Sequence, residues 1–205
     1  EIQKTVDELM DQIKKIENIE NKDSLRGIEG ESARNYFGNF NQMILSQKND
    51  FVFNSRNRRP PKDKVNALLS FLYTLLTYDV QSALESVGLD SYVGFFHSDR
   101  PGRAGLALDM MEEIRAYMVD RLVLTLINRK QIDSKGFDEK ENGSVLLNEK
   151  GRNIVIEAWQ KKKQEEIVHP YIDEKINIGL LPYVQSQLLA RYIRGDIDEY
   201  PPFLI

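Results

Sequence analysis

Cysteine is absent from the 205 residues, so disulfides, thiolate zinc sites and cysteine nucleophiles are all excluded. No stretch approaches the roughly 20 apolar residues of a membrane span. Nor does a basic-then-apolar signal segment open the chain. These absences predict a soluble protein with no membrane association, and a reducing, cytoplasmic location agrees with them. The chain begins at Glu1 without an initiator methionine, as a piece of a longer protein would. Charge of one sign is also scarce, because a net −4 is small for this length and argues against a general nucleic-acid coat protein. What remains is enough chain for one domain, 1–205, with a sizeable core.

The apolar periodicity is helical. Ile2, Val6, Leu9, Met10, Ile13 and Ile16 recur at three- and four-residue intervals and predict an amphipathic first helix. A second helix, capped by Asp23 or Ser24, is expected to run to about Ser46 with Glu29 inside it. Gly27 and Gly30 flank that glutamate at a cost of about 1 kcal/mol each relative to alanine, so a close backbone approach or a ligand is expected beside them. Pro60 and Pro61 break the chain, Asp63 caps a third helix that Gly88 stops, and Gly105 to Asn128 reads as one long fourth helix. Asn142-Gly143 signals a type I′ hairpin within 137–147. Asn148 caps a fifth helix to about Glu166, with Ile154, Ile156, Ala158 and Trp159 inward and Lys161, Lys162 and Lys163 outward. A last helix covers Tyr183 to Arg194, and Tyr200-Pro201-Pro202-Phe203 should dock. The fold class is mainly α, a single multi-helix domain with one short β-hairpin.

Only two histidines are present, and His97 has the more suggestive surroundings. It follows the apolar Gly94-Phe95-Phe96, and the carboxylates Asp109 and Glu112 come shortly after it at i, i+3 on the fourth helix. One imidazole and two carboxylates supply nitrogen and oxygen ligands to a single divalent cation, Mg2+ or Mn2+. A third protein ligand has to come from elsewhere in the chain. Between Arg56 and Lys64 the chain concentrates Arg56, Arg58, Arg59, Lys62 and Lys64 against one acid, Asp63, as a phosphate-binding strip would. A solvated loop accounts for that strip equally well. His169, before Pro170 and without acids close in sequence, reads as structural. Asn66 reads as a capping-region residue, and Arg115 as a helical partner of Glu112 or Glu113. Ser98 is a poor nucleophile, since it adjoins the only base available to it.

The blocks Gly27-Ile28-Glu29-Gly30-Glu31-Ser32-Ala33-Arg34-Asn35-Tyr36-Phe37, Arg58-Arg59-Pro60-Pro61-Lys62-Asp63-Lys64-Val65-Asn66, Gly94-Phe95-Phe96-His97 and Asp109-Met110-Met111-Glu112-Glu113-Ile114-Arg115 occur in the order typical of the CRISPR-associated spacer-acquisition integrase, the large subunit of the adaptation complex. The closing Arg191-Tyr192-Ile193-Arg194-Gly195 and Tyr200-Pro201-Pro202-Phe203 resemble that family's ending. The resemblance covers nearly the whole chain. It implies a helical carboxy-terminal catalytic domain whose metal is held by Glu29, His97 and Glu112, with Asp109 as an auxiliary ligand or a group behind the ligands. Arg34, Arg56, Arg58, Arg59 and Lys62 become expected DNA contacts. The implied activity is metal-dependent DNA cleavage and the insertion of short foreign DNA into a CRISPR array by 3′-hydroxyl attack. The implied partners are DNA, a homodimer formed through the family's β-rich amino-terminal domain, which has no counterpart here, and a small ferredoxin-like dimeric subunit. Two alternatives remain: a non-catalytic helical DNA-binding or scaffolding domain, and a hydrolase of small phosphorylated compounds.

Overall fold

A computed structural model describes residues 2–16, 19, 21–97 and 100–204. Its axis is α3, Lys64–Ser86, which starts where Asp63, in extended backbone, accepts the Asn66 amide at 2.7 Å. Leu68, Leu69, Leu72, Leu76 and Leu84 on this helix are 0% exposed. Burial of each stabilises the fold by about 1.5–3 kcal/mol, so α3 is the helix around which the others assemble. Gly88, at φ +83, supplies the left-handed residue that ends it.

The long fourth helix is interrupted. Gly105–Arg115 forms α4, Ala116–Asp120 a single π turn, and Arg121–Asn128 forms α5. A π turn holds one more residue than an α turn and shifts the helix face, and here it brings Met118, Val119 and Asp120 inside together. Phe137–Glu139 (β1) and Val145–Leu147 (β2) form the expected hairpin, antiparallel with Phe137 opposite Leu147. Its turn is not type I′. Gly143 is at φ +72 while Asn142 is not at positive φ, and the loop closes through Gly143 N to Lys140 O and Lys140 N to Ser144 O.

Glu149–Gln164 forms α6, capped by Asn148, whose side chain accepts the Gly151 amide at 2.9 Å. Trp159 is buried and Ile154 and Ala158 pack partly buried against the core, as expected, whereas Ile156 is 41% exposed and Val155 is buried in its stead. The lysine run is not uniformly solvated either. Lys162 bridges Glu165 and covers the Tyr117 ring, and Lys163 bridges Asp79 at 3.0 Å. A second hairpin that the sequence did not announce, Glu166–Val168 (β3) with Lys175–Asn177 (β4), leads to Leu181–Ile193, α7, which packs on α3. The tail then docks as expected, with Phe203 only 2% exposed.

The first two helices depart most from the periodicity. Ile2–Ile16 is α1, and Lys22–Asn39 is α2, capped by Asn21 rather than Asp23 or Ser24 and continued only by a 3-10 turn at Phe40–Met43, short of Ser46. The α1 side turned to α2 is polar: Gln12 accepts from the Ser32 hydroxyl at 2.5 Å and Thr5 from the Asn39 amide at 2.7 Å. Its apolar side faces outward, with Met10 54% and Ile13 56% exposed. A Cβ at Gly27 or Gly30 would meet nothing within 4 Å, so the expected close approach is not there and the space beside Glu29 is open.

Candidate active site

The loop that carries His97 and the first turns of α4, with Glu112, meet at one cleft, and Glu29 on α2 stands near enough for its charge to act on Glu112. The loop is held by a close backbone approach that requires glycine. A Cβ on Gly94 would stand 2.9 Å from both the Asp109 carboxylate and the Gly105 backbone, and one on Gly105 would stand 3.1 Å from Tyr92 O. With both Cβ atoms missing, the loop lies flat on the start of α4, and Ser91 O accepts the amides of Leu106 and Ala107.

Asp109 organises this contact. Its Oδ2 accepts the amides of Phe95 and Phe96 at 2.7 and 2.9 Å, and its Oδ1 accepts the His97 amide at 2.9 Å and meets His97 Nδ1 at 2.5 Å. A carboxylate has about four acceptor positions, and these four donors engage them. With its side chain 0% exposed, Asp109 stands behind His97 rather than in the cleft lining. The helix dipole is not the reason for it, since the first turn of α4 contains no acid. A carboxylate on Nδ1 fixes the ring and leaves Nε2, which has no partner among the described residues, turned to other work.

Glu112 lies one turn along the same stripe, 39% exposed and 2.7 Å from the Arg115 guanidinium. Burial raises its pKa above the usual glutamate range. Arg115 and His97 oppose that shift, and the like charge of Glu29 reinforces it. Glu29 is exposed on α2, outside the cleft lining, and that helix is tied to the His97 loop by Arg26, which donates to Phe96 O at 2.8 Å and lies 5.8 Å over the Phe96 ring. Sequence reasoning missed Arg26; its place one turn before Glu29 was the available signal.

The donor set suits a divalent cation: one fixed imidazole nitrogen and two carboxylates that repel each other across a shared space, a repulsion that a bound ion relieves. Among the described residues, however, no three His, Asp or Glu side chains stand close enough to enclose an ion. Glu112 is turned to Arg115 instead. The residue types fit the ion chemically, but as they stand they do not enclose one.

The cleft has about 200 Å³ of space, and cationic side chains line much of it: Arg56, Arg58, Arg59, Arg103 and Arg115, beside His97 and Glu112. Arg58 and Arg59 are exposed, as phosphate contacts need to be. Arg56 is different. It donates to Asn57 O, Asn66 Oδ1 and Ser70 Oγ, its Nε is buried without a partner among the described residues, and burial lowers its pKa to about 10. Asn66 is more than a capping residue, because while 0% exposed it binds Arg56, the Asn57 amide, Ser55 O and Asp63, and so staples the arginine strip to α3. Arg34 and Lys62 are exposed and lie outside the cleft lining, and Arg103, which had no assigned role, is part of it. Ser98 lies outside the described residues.

On the opposite face of α4, Glu113 accepts from the Tyr200 hydroxyl at 2.5 Å, the Phe203 amide at 2.7 Å and the Gln185 amide at 3.0 Å. Gln185 in turn meets His169 Nε2 at 2.9 Å, while His169 Nδ1 accepts from Tyr171 and Ile172. This second histidine is 0% exposed and structural, as expected.

Comparison with known proteins places these residues in context. The family model described as CRISPR associated protein Cas1 matches residues 1–161. The chain is 56% identical over 186 residues to CRISPR-associated endonuclease Cas1 2 of Rhodospirillum rubrum, covering 91% of this chain and 54% of that protein. It is 48% identical over 204 residues to CRISPR-associated endonuclease Cas1 of Leptospira interrogans, covering 100% of this chain and 80% of that protein. Thus it spans only about half the length of the first of these relatives. Among solved structures it is similar to a chain of a Cas6-RT-Cas1–Cas2 complex, with a TM-score of 0.84 and 28% identity over 99% of this chain and 22% of that one.

Proposed function

Because the chain belongs to the Cas1 family, matched over most of its length, we propose that its cleft is the centre of a metal-dependent DNA endonuclease and integrase domain. The reaction is the insertion of short foreign DNA into a CRISPR array by 3′-hydroxyl attack on a phosphodiester. One observation carries the reading: an imidazole locked by a buried carboxylate at Nδ1 shares an arginine-lined cleft with Glu112.

In this mechanism Glu29, Glu112 and His97 Nε2 hold Mg2+ or Mn2+. When bound, the ion supplies polarisation of the phosphoryl oxygens and activation of the attacking oxygen. Asp109 keeps the proton on His97 Nδ1, so that Nε2 presents its lone pair. Arg58, Arg59 and Arg103 bind the strand through phosphates and orient it across the cleft. Arg115 compensates the Glu112 carboxylate, sparing α4 an unpaired charge. No helix of the described residues is long and apolar enough to cross a membrane, and a cytoplasmic setting suits a DNA substrate. By family resemblance, the partners are a homodimer through an amino-terminal domain and a small ferredoxin-like dimeric subunit. A Cas1–Cas2 assembly is what the neighbouring solved complex is named for.

The test uses branched DNA and Mn2+. Glu29→Gln, His97→Ala and Glu112→Gln are each expected to lose at least about a hundredfold in strand cleavage or joining, with thermal unfolding little changed. Retention of activity by all three variants overturns the mechanism.

A further inference from the structure

The π turn places one carboxylate where the proposed mechanism does not use it. Asp120 is 1% exposed, in the middle of the apolar Met118, Val119, Leu122 and Val123. Among the described residues it makes no ion pair. Its Oδ1 accepts the Tyr73 hydroxyl at 2.5 Å and its Oδ2 the Tyr36 hydroxyl at 2.9 Å. These tyrosines come from α3 and α2, so a single side chain joins three helices. Buried carboxylates are costly, and two hydroxyl donors, with the charges of Arg115 and Arg56 acting from beyond hydrogen-bond reach, only partly compensate this one. A turn that departs from α geometry to place such a group inside calls for a reason beyond packing.

The reason lies on the ring that Asp120 holds. Two guanidinium groups approach Tyr73, Arg56 at 5.3 Å and Arg115 at 5.6 Å from its centroid. Both line the cleft beside His97, as does Tyr73 itself. Arg115 continues the chain to Glu112 at 2.7 Å. A phenol that donates to a carboxylate carries more electron density on its ring, which strengthens its attraction for cations, and hydrogen-bonded networks reinforce one another in this way. Freed from Asp120, the Tyr73 ring can turn about its side-chain torsions, and the two guanidiniums lose their shared support.

We infer that Asp120 is a positioning residue for the cleft: through Tyr73 it sets the separation and direction of Arg56 and Arg115, and hence the affinity of the cleft for the phosphates of a DNA strand. The inference rests on the DNA reading of the cleft. Tyr36, on the other oxygen, ties down α2; the charge of Arg115 reaches it, but among the described residues the two guanidiniums lie over the Tyr73 ring and not over its own. The two tyrosines therefore have separable effects, one on ligand affinity and one on the fold alone.

The experiment measures the dissociation constant for a short branched DNA by fluorescence anisotropy in EDTA, so that metal chemistry plays no part. In parallel, NMR records the Arg56 and Arg115 side-chain Nε–H signals, which carry ring-current shifts from Tyr73 without any ligand. Asp120→Asn and Tyr73→Phe are each expected to weaken binding about tenfold and to move both arginine signals toward their unstacked positions. The double variant should be no weaker than either single one, Tyr36→Phe should lower the melting temperature with affinity within twofold of wild type, and Arg58→Ala should multiply with Asp120→Asn. Unshifted arginine signals in Asp120→Asn overturn the inference, as does multiplication between Asp120→Asn and Tyr73→Phe. Should the unsubstituted protein bind no DNA, the DNA reading fails, and the arginine signals alone still decide whether Asp120 positions them.

Discussion

Glu112 and Glu113 are neighbours on α4, each within reach of a histidine's field and each raised by burial above the ordinary glutamate range, yet they live in opposite surroundings. Glu113 faces inward, where uncharged donors from α7 and the tail meet it on both oxygens. Glu112 faces the cleft, where its one partner is Arg115 and Glu29 repels it. The histidines repeat the contrast. His169 spends both ring nitrogens on protein contacts, whereas His97 spends one on Asp109 and keeps the other. A carboxylate satisfied by neutral donors closes a fold, while one left short of partners beside another acid is prepared for a ligand.

Breaking the inner side should give the larger change in stability. Glu113→Ala leaves the Tyr200 hydroxyl, the Phe203 amide and the Gln185 amide without an acceptor, for a loss on the order of 3 kcal/mol. Chemical denaturation measures it, and DNA cleavage per folded molecule should be unchanged. If cleavage fell as far as in the cleft variants, the distinction between the two faces would collapse.

A smaller, sharper contrast is expected from pH. Because the folded protein holds a proton on Glu113 that the unfolded chain has already released, this group's contribution to stability declines as pH rises from about the unperturbed glutamate value through the raised folded one. The slope for one proton cannot exceed about 1.4 kcal/mol per pH unit, and Glu113→Gln should flatten it. At Glu112 the same raised value acts on binding: protons compete with a cation, so Mn2+ affinity should fall as pH drops, beginning above the range of an ordinary glutamate. Calorimetric titrations at several pH values would show whether the two trends run in opposite senses.

The helices that surround the site were largely legible, since α3, α4, α5 and α6 carry strong periodicity with Asp63, Gly88 and Asn148 as punctuation. The first helix was legible as a helix but not in its orientation. Periodicity shows that Ile2, Val6 and Ile13 share a face, and it does not show whether this chain contains what covers that face. The π turn left a trace that was overlooked, an acid at position 120 inside an apolar stripe where a charge is out of place. The hydrogen bond between Arg56 and Asn66 was not legible, because it depends on a loop folding back onto α3, a contact between residues ten apart that no periodic pattern carries. Asp109 was legible as part of the site, and only the backbone amides of Phe95, Phe96 and His97 reveal which side of the histidine it serves.

The claim that the outer face of α4 is the one prepared for a ligand is tested most directly by Mn2+ binding, read by the loss of the free-ion electron paramagnetic resonance signal, in Glu112→Gln and Glu113→Gln side by side. The account predicts that Glu112→Gln abolishes binding at the concentrations that saturate the unsubstituted protein, while Glu113→Gln binds as before. Equal binding by both variants, or loss in Glu113→Gln alone, would contradict it.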